Sequence, residues 1–280
     1  LLTSVPAHAA KSYDNCTGFI DSVPASISTQ GTWCLRRDVS TGLTDASAIS
    51  IQTNNVTIDC NDFKIGGLAA GSGTTSIGIS AAGKYNLTVR NCNVRGFGTG
   101  IMLLGLSDAG GGHVVEDNRL DGNTSIGIEV VGDGSVVRRN LVRDTGGSTV
   151  IVGAAQGIHV RNDVDVIDNT ISGLLPAPNA SGDGYPIGIL NVDNLSGSIS
   201  NNRVRGLMPL GNGYAAGIHS EGNRAITVRD NELIGSGNGY GLLCQGGESS
   251  EQGVAIGNVI VGFTYAGISG CTDASGNVVN

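Results

Sequence analysis

The chain has 280 residues, with 46 Gly, only 6 Pro, and a net charge of −8 from 16 Lys and Arg against 24 Asp and Glu. That balance argues against a general nucleic-acid or anionic-membrane surface. No apolar run is long enough to cross a bilayer, and no window carries a sustained helical stripe. The length admits one long repeat array or two ordinary domains.

In chain order, residues 1–9 read as the tail of a secretory signal peptide. Ala7-His8-Ala9 fits the small-residue cleavage rule, with a mature start near Ala10. Residues 10–46 read as an N-terminal cap and first coil, and 47–280 as a repeat array. Six cysteines in an exported chain suggest disulfides: Cys16 with Cys34 in the cap, then Cys60 with Cys92 and Cys244 with Cys271 between neighbouring coils. Metal-thiolate sites are the poorer alternative, since no C-x-x-C spacing occurs.

From Gly78 onward, Gly-Ile or Gly-Leu pairs that open a short apolar strand recur at Gly78, Gly100, Gly127, Gly157, Gly188, Gly217, Gly241 and Gly267, spaced by 22 to 31 residues. A second marker alternates with it: Asn or Cys, any residue, an aliphatic residue, any residue, and usually Gly. Examples are Asn118-Arg119-Leu120-Asp121-Gly122 and Asn202-Arg203-Val204-Arg205-Gly206. Two interleaved markers at one period describe a strand-turn-strand unit stacked on copies of itself. The period suits one turn of a parallel β-helix, with turns expected to rest on positive-φ glycines. Ile79, Ile101, Ile128, Ile158, Ile189, Ile218, Leu242 and Ile268 would form one internal column. Val94, Leu120, Val142, Ile171, Val204, Leu233 and Ile260 would form a second. The recurring Asn (118, 140, 169, 202, 231, 258) reads as a structural amide ladder rather than as catalytic residues.

With these motifs the chain resembles the right-handed parallel β-helix proteins of the pectate-lyase-like superfamily, over roughly Ser47 to Asn280. The stretches Pro24–Leu35 and Asn55–Asn61 look like the first coils of exported members. The resemblance implies an all-β, right-handed solenoid of about 8–10 coils behind an N-terminal cap. The superfamily implies lyases, hydrolases and epimerases acting on polysaccharides, phage depolymerases, and non-catalytic surface proteins. The paired-Asp and Arg-x-Lys signatures of polygalacturonases are missing, and no clear calcium-pectate-lyase signature is found.

Stacked coils also align the outward positions. One column reads Ser80, Met102, Glu129, His159, Leu190, His219, Leu243, Ser269; another reads Ala82, Leu104, Val131, Arg161, Val192, Glu221, Gln245, Cys271. Ionisable groups concentrate in the middle coils, with Asn191 and Asp193 just beyond Leu190. The longest insertions, 146–156, 173–187 and 206–216, leave at one corner and would wall that sheet, delivering Tyr185 and Tyr214. The outward residues of the Asn strand (Arg95, Asp121, Arg143) alternate in sign and read as a charge ladder.

A floor of His, Arg and carboxylates walled by tyrosines is the expected site. For β-elimination on a uronic acid, Arg161 or Asn191 would neutralise the carboxylate. His159 or His219 would be the base, and Tyr185 or Tyr214 the acid. Glu129, Asn191, Asp193 and Glu221 would contact substrate, and the carboxylates leave hydrolysis open. A non-catalytic carbohydrate-binding or cell-surface protein is the alternative class. The expected partner is a polysaccharide, with neither nucleic acid nor membrane insertion; the location is secreted or periplasmic. No cofactor is required, though Asp163, Asp165 or Asp193 would admit calcium. The C-terminal end, Val278-Val279-Asn280, would be an incomplete coil or an association surface.

Overall fold

A computed structural model describes residues 13–105, 110–193, 197–222, 226–246 and 253–280. The expected signal-peptide remnant, 1–9, lies outside the described residues. Three parallel sheets of eleven, ten and ten strands wrap one apolar core. The Gly-Ile strands form one ten-stranded sheet, from Ala25–Ile27 to Ala266–Ser269. The Asn strands form the other, from Val39–Ser40 to Val278–Val279. The eleven-stranded third sheet runs from Gly18–Phe19 to Thr272–Ser275. Each coil passes through all three; Thr99–Leu104, Val114–Glu116 and Arg119–Asp121 are one example.

The third sheet corrects the two-strand repeat. Its strands are mostly three or four residues long, and most turn one aliphatic residue inward; Val89, Val115, Val137, Val166, Ile199, Val228 and Ala255 form the recurring column, all fully buried. Three residues are too few to display alternation, so these strands carry no periodic signal. Their one trace in the sequence is an aliphatic residue three places before each marker Asn (Cys92 in the first copy).

The turn between that residue and the Asn also differs from expectation. Its left-handed position is held by Asn91, Asp117, Arg139, Asp168, Asn201 and Asp230, with φ of 53 to 57°, and by glycine only at Gly257 and Gly276. Asn and Asp tolerate this conformation better than other residues with a side chain. The marker glycines have another purpose. A Cβ on Gly127 would lie 2.5 Å from both the Gly157 carbonyl of the next coil and Val142 Cγ1. The bare backbone is what lets successive coils approach at this corner.

The amide ladder forms as expected and extends one step further, to Asn277. Each Asn Nδ2 donates to Oδ1 of the next, from Asn118 to Asn140 and on to Asn277, at 2.9–3.0 Å. The same Oδ1 accepts the preceding Asn backbone N–H. Cys92 occupies the slot before Asn118, and its N–H donates to Asn118 Oδ1. All three expected disulfides are present: Cys16–Cys34, Cys60–Cys92 and Cys244–Cys271.

Replacing Asn202 by Ala removes the acceptor of the Asn169 amide and the donor to Val166 O, Ser200 O and Asn231 Oδ1. The orphaned groups are buried, so the loss is expected to reach roughly 3 kcal/mol or more in urea unfolding. Asn277→Ala, at the less buried end of the ladder, is expected to cost less than half as much.

Candidate functional site

The outward columns align as the markers indicate. Glu129 pairs in register with His159, His159 with Leu190, Leu190 with His219, and His219 with Leu243. Arg161, Val192, Glu221 and Gln245 align in the next column. His159 and His219 therefore share one face, two rungs or roughly 10 Å apart.

The floor is not one continuous constellation. It holds two acid–histidine pairs separated by the apolar rung of Leu190 and Val192. In the first, His159 Nδ1 lies 3.6 Å from Glu129 Oε1. Burial, aided by the Arg161 charge, pulls His159 down to about 4, so its imidazole is neutral at ordinary pH. Burial raises the Glu129 carboxyl, and Arg161 partly offsets this. Arg161 is exposed at the end of the same strand as His159.

In the second pair, His219 Nε2 lies 3.1 Å from Gln245 Oε1 and 3.3 Å from Glu221 Oε1. Both partners are acceptors, so Nε2 carries a proton. His219 is almost wholly buried, whereas the Glu221 side chain is 46% exposed. The face a ligand meets at this rung is thus the carboxylate, with the imidazole orienting it from beneath.

Tyrosines line the edge. Tyr185 and Tyr214 meet edge-to-face at 5.2 Å, and the row continues through Tyr240 (5.5 Å from Tyr214) to Tyr265 (5.4 Å from Tyr240). Burial, and then Tyr240, Glu221 and Tyr185, raise the Tyr214 hydroxyl above the usual phenol range, keeping it a proton donor. The insertion loops brace one another: Gly184 and Leu210 exchange backbone hydrogen bonds, and the Gly153 N–H donates to Ala177 O. Tyr240 and Tyr265 were missed because they stand one and two residues before their glycines, not three as in the long-loop coils. Their signal was a tyrosine within three residues of four successive markers.

Two expected ligand contacts are not on this floor. Asn191 turns inward, fully buried, and its Nδ2 donates to Ser220 Oγ at 3.0 Å. It follows the outward Leu190, and strand alternation must send it to the core. Asp193 sits on the turn past the strand with φ 51°, its N–H bound to Glu221 O. Of the calcium candidates, Asp165 Oδ1 accepts from the Ser198 N–H and hydroxyl. Among the described residues no group of three His, Cys, Asp or Glu side chains is arranged to hold a metal.

A right-handed β-helix family model matches residues 40–181 and 78–277, under the description right handed beta helix region. The chain belongs to that family. No curated protein matches it. Among solved structures, this β-helix is similar to XylC in complex with xylose, at 12% identity and TM-score 0.53, over 80% of this chain and 38% of that one. It is similar to the tailspike protein of E. coli bacteriophage HK620 in complex with a pentasaccharide, at 13% identity and TM-score 0.50, over 91% and 59%. The alginate lyase from Paenibacillus sp. str. FPU-7 aligns at 16% identity and TM-score 0.49, over 91% and 95%. The chain thus spans well under two thirds of the length of the first two. At these identities the likeness is one of fold.

The buried histidines make stability sensitive to acid. Like His159, His113 is held at about 4 by burial, with Nδ1 accepting the Leu87 N–H. An unfolded histidine takes up its proton near pH 6.5, before the folded one does. Stability is therefore expected to fall as pH drops from about 6.5 to about 4, by at most ~1.4 kcal/mol per pH unit for each histidine. Glu129, raised by burial, acts in the opposite sense. Urea unfolding across this range should show a shallower slope for His113→Gln than for the parent protein.

Proposed function

We propose that the outer face of the Gly-Ile sheet binds an acidic polysaccharide and cleaves it by β-elimination. What supports this reading is that one face carries two acid–histidine pairs and an exposed arginine, with a tyrosine row along its edge in which Tyr214 holds its proton. The uronate carboxylate sits at Arg161, which stabilises the negative charge developing on it. His159, neutral and with Nε2 unpartnered among the described residues, takes the C5 proton. The C4–O bond breaks as the C4–C5 double bond forms, and a tyrosine of the row, Tyr214 or Tyr185, protonates the departing oxygen. Glu221 and Gln245 contact the sugar hydroxyls of the neighbouring unit, with His219 holding Glu221 in place.

Paired-carboxylate hydrolysis fits less well. Glu129 and Glu221 lie three rungs apart, roughly 14 Å, beyond the ~5–9.5 Å that such mechanisms use. Two solved proteins of this fold, XylC and the tailspike, carry saccharides, which agrees with the substrate class. The three disulfides suit an oxidising compartment outside the cytosol.

A second reading, saccharide binding without chemistry, is favoured by one fact: His159 Nε2 and His219 Nδ1, unpartnered among the described residues, are both buried. Ultraviolet absorbance of the conjugated, unsaturated uronate, measured over a panel of uronic-acid polysaccharides, separates the two. A lyase gives a rise that falls at least ~100-fold in His159→Ala and in Tyr214→Phe with the fold retained. Tight binding with no absorbance change on any member of the panel identifies a binding protein instead.

A further inference from the structure

The Asn sheet, which forms a different side of the solenoid, carries an unexplained set of cations. Lys64, Asn93 and Arg119 stand in register on three successive rungs, and Arg95 stands two residues along the strand from Asn93. Lys64 is answered by Asp38 at 3.3 Å. Arg95 and Arg119 form no ion pair among the described residues, and Arg95 Nε is buried without a partner. The expected charge ladder is therefore broken at its first step. Among the described residues Asp121 pairs only with Arg143, at 3.9 Å, and Arg143 lies closer to Asp144, at 3.0 Å.

Two cavities flank this cluster. One, of about 280 Å³, is lined by Asp38, Asp62, Lys64, Asn93, Arg95 and Arg119. The other, of about 270 Å³, lies against Ser40, Thr41, Lys64, Leu68, Ala69 and Arg95. Lys64 and Arg95 are common to both, so they form the ridge between a polar hollow and a partly apolar one. Leu68, 56% exposed, is the large apolar side chain lining the second.

We propose that this ridge is a second saccharide site, specific for a sugar bearing a single carboxylate. The carboxylate rests on the forked donors of Arg95 and Arg119, neither of which has an ion-pair partner among the described residues. The carboxylates of Asp38, Asp62 and Asp121 accept hydrogen bonds from hydroxyls, but they would repel a multiply charged anion such as a phosphate. The adjoining unit of the chain lays its C–H face on Leu68 and Ala69. A uronic-acid oligosaccharide meets all three demands. The site shares no residue with the Gly-Ile face and does not depend on that face being catalytic.

Amide chemical shifts of the whole ¹⁵N-labelled protein, titrated with tetragalacturonate, tetraglucuronate and a neutral xylotetraose control, test this. The uronates are expected to shift the amides of 93–95 and 66–69 where xylotetraose does not, and to bind more weakly as salt rises. Arg119 is exposed, so Arg119→Gln should fold normally; it is expected to weaken that binding by roughly tenfold or more. Any response at the Tyr214 and Tyr240 amides should be unchanged in this variant. The proposal is overturned if neither uronate moves those amides, if xylotetraose moves them equally, or if Arg119→Gln binds as tightly as the parent.

Discussion

At each marker corner the backbone of one coil meets the carbonyl of the next with no room for a side chain. That close approach fixes the vertical spacing of the whole stack, because a parallel ladder propagates its register from rung to rung. The amide ladder at another corner does the same with hydrogen bonds. Each Asn answers the coil above and the carbonyl of the strand before it. Between these two rails the aliphatic columns have no freedom to slip. A one-residue slip would turn every inward side chain outward. The outward columns are then equally fixed, and this is why groups about thirty residues apart become neighbours. The acid–histidine pairs owe their geometry to contacts made entirely inside the solenoid.

How legible this was depended on whether a feature repeats with a side-chain signature. The Ile and Val columns and the Asn ladder recur at the coil period and stand where the markers put them, whereas the disulfides followed from the even cysteine count in an exported chain. Strands of three residues, each with one inward side chain, cannot show alternation, so the third sheet left only its isolated aliphatic residue. Asn191 was misplaced for a different reason. It is close to His159 and His219 in the rung order, but proximity along a strand is subordinate to parity, and its neighbour Leu190 had already taken the outward direction. Tyr240 and Tyr265 eluded a fixed offset because their coils lack the long insertions, and the rings stand one and two residues before the glycine instead of three. The row of rings is a property of space rather than of spacing.

The split of the floor into two pairs has an electrostatic logic. Burial drives the members of the first pair toward their neutral forms: His159 is pulled down and Glu129 pushed up. A further charge on the intervening rung would have to be desolvated beside them at a cost of several kcal/mol. Leu190 and Val192 occupy that rung without such a cost, and they insulate the Glu221–His219 pair, whose carboxylate reaches solvent. The two pairs therefore meet different surroundings within two rungs of one another, one buried and one open to solvent through Glu221.

The same partition explains how one solenoid can present two unlike surfaces. The core residues of a coil are shared by all three sheets, but the outward residues of each sheet are answered only by the rungs above and below. Changing Arg119, exposed on the Asn sheet, leaves Leu120 in its column and does not touch the Gly-Ile strand of the same coil. Changing Asn118, one residue earlier, would break the ladder that both faces depend on. Adjacent positions in this chain thus carry quite different consequences. A surface cation can be altered while the stack stands, whereas a buried amide beside it cannot, and new ligand preferences are open to the former kind of position alone.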